Sequence, residues 1–160
     1  MAELTTLEEK LAEVTGLAKA AQEATQKVEG LVDDEDLVSQ LRKMREEAEE
    51  TERRCTEVAE NRDGKKTAIL EKAQETKNEA AEMMSTYLGS DADDLDGFEF
   101  LTMAEAGEVG HWEILGKLNE KAGEAEVREL VEWALPIQER HLRDVRQGSL
   151  TLAAEEDPNG

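Results

Sequence analysis

Apolar and small residues recur every three or four positions along most of this chain, which is the period of a helix with one face turned inward. Over about residues 3–29 the inward set is Leu4, Leu7, Leu11, Val14, Ala18, Ala21, Thr25 and Val28, a heptad seam. Gly16 falls inside this segment but off the seam, where a glycine costs about 1 kcal/mol against alanine. The small residues Ala18, Ala21 and Thr25 let a partner helix approach closely. Asp33, Asp34, Glu35 and Asp36 then place carboxylates at the positive dipole end of a second helix. That helix, about 35–62, carries Leu37, Leu41, Met44, Ala48, Thr51, Cys55 and Val58 in its seam and stops at Asp63-Gly64.

A third helix is expected over about 66–88, with Ile69, Ala73, Thr76, Ala80, Met83 and Tyr87 inward. The polar stretch Gly89 to Gly97 follows, its last aspartates placed to cap a fourth helix. That helix, about 98–121, has Leu101, Ala104, Glu108, His111, Leu115 and Leu118 at seam spacing and ends at Lys121 to Gly123. The fifth, about 124–147, has Val127, Leu130, Val131, Ala134, Ile137, His141 and Val145. No segment alternates with period two, so helix should exceed about 70% of residues and strand should be absent. Short connections make sequential helices antiparallel. The expected fold is therefore all-α: an antiparallel up-down four-helix bundle over 34–148. To it are added a long N-terminal helix within 1–30, packing on the bundle or on a partner chain, and a flexible acidic tail over 149–160. Five amphipathic stripes exceed what one four-helix core uses, so a dimer through the first seam or a bundle end is expected.

Composition narrows the functions. Charged residues make up 37% of the 160 residues and hydrophobic ones 38%, with a formal net charge of −21. Such acidity repels phosphate backbones and anionic membrane surfaces, which argues against nucleic acid and lipid as partners. No apolar run nears the ~20 residues that span a bilayer. Met1-Ala2-Glu3 leads into charged helix with no signal-peptide pattern, and the one cysteine, Cys55, builds no disulfide framework. A cytoplasmic location is expected. There is no phosphate loop, nucleotide fingerprint or nucleophile elbow. Trp112 and Trp133 read as packing residues at bundle ends or in an oligomer contact, and Met83-Met84 as core filler.

Two pairs of polar residues break the apolar pattern. Glu108 and His111 occupy the fourth seam three residues apart, and on the fifth helix Gln138 stands three before the seam residue His141. Inward Glu-x-x-His pairs on facing helices are the ligand arrangement of metal sites in bundle cores. Gly107 and Gly110 leave room beside Glu108. Pro136, inside the fifth helix, frees the carbonyl of Glu132 one turn before His141. Glu108, His111 and His141 are therefore the candidate metal ligands. Glu139 lies about 100° round the helix from Gln138 and is not one.

The stretch from Phe98 to Gly148 contains Ala-Glu-Ala-Gly-Glu-Val-Gly-His-Trp-Glu-Ile-Leu (104–115) and Leu-Pro-Ile-Gln-Glu-Arg-His-Leu (135–142). It resembles the ferritin-like superfamily, including rubrerythrin-type proteins. The resemblance covers about a third of the chain and implies an antiparallel four-helix bundle holding two iron or manganese ions on carboxylates and histidines. Gln138 departs from the pattern, which has a glutamate there. The bridging glutamates that the family supplies from the other two helices would be Glu52 and Glu79. Two readings stand: a ferritin-like bundle handling iron or manganese in storage, oxidation or peroxide consumption, or a metal-free bundle serving as a structural or protein-interaction module.

Overall fold

The computed structural model describes residues 2–160. They form five helices: α1 Thr6–Glu29, α2 Glu35–Glu60, α3 Lys66–Tyr87, α4 Asp94–Ala122 and α5 Ala125–Glu155. No strand occurs among the described residues, and helix exceeds the expected fraction of about 70%. The ends follow from local chemistry. Thr5 and Glu8 cap α1 reciprocally, and Asp93 and Asp96 do the same for α4. Asp34 accepts from the amides of Asp36 and Leu37 at the start of α2. Gly123 closes α4 with φ +67°, a left-handed backbone that a side chain resists. Residues 149–155 continue α5 instead of fraying, because Leu152 is buried in the core.

The packing order differs from the expected one. α1 lies against α2, α3 and α4, while α5 packs on α4 and more lightly on α2. α1, α2, α5 and α4 thus close a ring of neighbours, and α3 lies along the outside of α1. The N-terminal helix is inside the assembly and α3 is the added one. Gly16 is why α3 can lie there: a Cβ on it would stand 2.3 Å from the carbonyl oxygen of Ala73 and 2.7 Å from Cβ of Thr76. With α3 on one side and the ring on the other, Leu7, Leu11, Val14, Ala18, Ala21 and Val28 are all buried within the chain. The α1 seam therefore offers no surface to a second copy, and the dimer contact expected there is lost.

Two apolar clusters fill the interior. One holds Leu11, Val14, Cys55, Ile69, Trp112, Leu115 and Val127; the other holds Val28, Leu41, Met44, Phe98, Leu101 and Val145. Trp112 is 1% exposed and belongs to the centre of the first cluster, not to a bundle end. Trp133 is half-buried under the Arg54 guanidinium, 4.1 Å from its ring centroid. Met83 is no core filler, being 54% exposed. At one end, Glu8 accepts from Arg62 at 2.8 Å and Lys65 at 3.2 Å, and Arg62 also donates to Glu124 at 2.9 Å. This network ties the start of α1, the α2–α3 connection and the α4–α5 turn together. Burial pulls the Glu8 carboxyl upward, but the Thr5 backbone donor, Arg62 and Lys65 outweigh it and hold it at about 2.

A buried carboxyl, amide and imidazole layer

Between the two apolar clusters lies a polar layer built from α2, α4 and α5. The inward face of α4 is Phe98, Leu101, Glu105, Glu108, Trp112, Leu115 and Asn119. It is rotated from the expected seam, so that Glu105 and Trp112 replace Ala104 and His111. On α5 the buried set is Val127, Leu130, Ala134, Gln138, His141, Val145, Gly148 and Leu152, with Gln138 in the place expected for Ile137. Four polar side chains consequently share the interior: Glu105, Glu108, Gln138 and His141, none more than 4% exposed.

Their contacts form a chain. With the Gln138 amide turned so that its nitrogen faces the carboxyls, it donates to Glu105 Oε2 at 2.9 Å and to Glu108 Oε2 at 3.0 Å. Nδ1 of His141 stands 3.9 Å from Glu105 Oε2. Nε2 of His141 lies 3.0 Å from Oε1 of Glu47 on α2, to which Arg140 also donates at 3.1 Å. Burial pushes the Glu105 carboxyl up to about 8. Burial, joined by the neighbouring Glu105, pushes Glu108 well above its ordinary value of 4.5. Both carboxyls are thereby biased toward the neutral acid. Burial lowers His141, so its imidazole is neutral there, against the raising pull of Glu47. Neutral His141 carries its proton on Nε2, donated to the Glu47 carboxylate, and turns the Nδ1 lone pair toward Glu105.

The sequence candidates divide accordingly. Glu108 and His141 are in the layer. His111 is not: its side chain is 39% exposed, with Nε2 3.8 Å from Glu13 of α1, and its Nδ1 donates to the Gly107 carbonyl at 2.8 Å. Glu52 is half-buried and accepts from Gln22 at 2.7 Å, while Glu79 is exposed. The α2 carboxyl that reaches the layer is Glu47, which sequence reasoning did not single out. Neither did it single out Glu105, although its spacing of three from Glu108 was a legible signal.

The carboxyl and imidazole ligand atoms of the layer do not gather within 4.8 Å of one another. Between Glu105 and Glu108 stands the Gln138 side-chain amide, which bridges the two carboxyls. Glu47 and Glu105 address different nitrogens of the His141 ring, so they do not converge on one point. Among the described residues, ligand atoms from three acidic or imidazole groups come within 4.8 Å of one another only at Asp93, Asp94 and Glu156. There the aspartates are occupied at the start of α4, accepting from the Asp96 and Leu95 amides.

Beside the layer, between α1, α3 and α4, is a recess of about 200 Å³. Its walls are alanines and methionines, among them Ala24, Ala80, Met84 and Met103, and Glu105 and Glu108 line it as well. No helix among the described residues is long and apolar enough to cross a membrane. No family model, curated protein or solved structure matches the chain.

Proposed function

We propose that this chain is a metal-free helical bundle serving as a protein-interaction module. One observation carries the reading: the Gln138 amide bridges the Glu105 and Glu108 carboxyls and Glu47 holds the His141 ring, so the buried polar groups partner one another. Hydrogen bonds of this kind between α4 and α5 favour one register of the two helices. The ring of α1, α2, α4 and α5, with α3 outside it, supports an up-down four-helix bundle plus one helix, the architecture of ferritin-like proteins. The recess between α1, α3 and α4 supplies the contact face, its mouth flanked by the exposed side chains Met83 and Met103.

The metal-handling reading keeps one observation in its favour. Glu47, Glu105, Glu108 and His141 come from three helices into one layer, as ligands of a bundle-core iron or manganese site do. Elemental analysis separates the two. Protein purified from cells supplied with iron and manganese, then dialysed without chelator, should carry well under one transition-metal ion per chain. A stoichiometric ion lost in His141→Ala would overturn the metal-free reading.

A further inference from the structure

The recess beside the polar layer has a mismatch between its walls and its floor. The walls are apolar, yet two carboxyl side chains line it, each more than nine-tenths buried. Neither has a lysine or arginine against it. Among the described residues, His141 is the one basic group within 4.0 Å of either, at 3.9 Å from Glu105, and its imidazole is held neutral. A third glutamate at the recess, Glu23, is already paired with Lys77 at 2.7 Å. No lysine or arginine is among the lining residues, so no cationic side chain of the recess pairs with either carboxyl.

An occupant that complements such a site has an apolar stem and a cationic end. The stem replaces water against alanine and methionine, and the cation meets carboxyls that have no lysine or arginine partner within the chain. Lysine is that shape: a four-carbon stem with a compact ammonium offering three donors. The net charge of −21 selects in the same direction, since it attracts a basic surface and repels an acidic one.

We propose that the recess between α1, α3 and α4 receives a lysine side chain from a basic partner protein, its ammonium meeting Glu105 and Glu108 at the floor. The inference rests on the metal-free reading, because an ion in the polar layer would take the same carboxyls. An ammonium at that point favours ionisation of one carboxyl, so that docking exchanges a neutral acid for an ion pair in a dry site.

The test uses the full chain and two blocked amino acids that differ only at the end of the stem. Nα-acetyl-lysine N-methylamide and Nα-acetyl-norleucine N-methylamide are titrated while methyl signals of Ala80, Met84 and Met103 are followed by NMR. The lysine probe should bind at least tenfold tighter than the norleucine probe, and a lysine-rich amphipathic helical peptide tighter still. Glu105→Gln/Glu108→Gln, which keeps the shape of the floor, should remove the preference. Ala80→Met, which fills the recess, should abolish binding of both probes. Equal affinity for the two probes, or a preference that survives the double variant, overturns the proposal. Binding of n-butylammonium without binding of the peptide overturns the protein source. A folded, metal-free protein that ignores the lysine probe and the peptide defeats this inference and leaves the metal-free bundle standing. A stoichiometric metal ion defeats both.

Discussion

Glu105 and His141 face each other across the α4–α5 interface, with Oε2 of the one 3.9 Å from Nδ1 of the other, and both are buried. One is a neutral acid and the other a neutral base, so the pair holds no charge at neutral pH. That arrangement is stable only within a window of pH. Glu105 and Glu108 would ionise near 4.5 in the unfolded chain but are raised in the folded one. Between those values the folded state binds more protons, so their burial costs stability progressively as pH rises from about 4.5 toward 8 and beyond. His141, lowered from 6.5, acts in the opposite sense: the unfolded chain takes the proton first, and stability falls as pH drops below that value.

The double variant Glu105→Gln/Glu108→Gln should therefore show a flatter dependence of Tm on pH between 5 and 9 than the natural sequence, which should lose stability toward the alkaline end. Parallel curves would mean that the two carboxyls are ionised in the folded protein.

The two histidines should behave unlike each other. His111→Ala removes an exposed ring whose donor serves the Gly107 carbonyl, and should change stability by less than about 0.5 kcal/mol in urea titration. His141→Ala removes a buried ring and strips Glu47 of a partner, and should cost about 2 kcal/mol or more. Equal costs would contradict the placement of His111 outside the core.

Glycines inside helices give a sign test. Gly107 and Gly110 have open space where a Cβ would stand, so Gly107→Ala and Gly110→Ala should each stabilise by about 0.5–1 kcal/mol through helix propensity. Gly16→Ala should do the reverse, because the added carbon meets the Ala73 backbone. Stabilisation by Gly16→Ala would show that α3 does not lie against α1 there.

Trp112→Ala should cost about 3–5 kcal/mol, since the ring is 1% exposed in a core to which all five helices contribute. A cost below about 1 kcal/mol would put the ring at the surface.

Period, caps and breakers were enough to place all five helices, because each is a property of a few consecutive residues: Asp34, Asp93 and Gly123 act within one turn of where they stand. The acidity is also written in composition alone. The neighbourhood of each helix is not. Alanine and glutamate suit both a seam and its flank, so in α4 the pattern tolerates a rotation of one residue, and only packing against α1 and α5 turned Glu105 and Trp112 inward and His111 out. That Gly16 meets Ala73, fifty-seven residues on, is likewise a contact between distant parts of the chain. The sequence determined the helices and their charge. Tertiary packing decided which glutamates lost their water, because burial depends on what lies across from a residue and no local pattern records it.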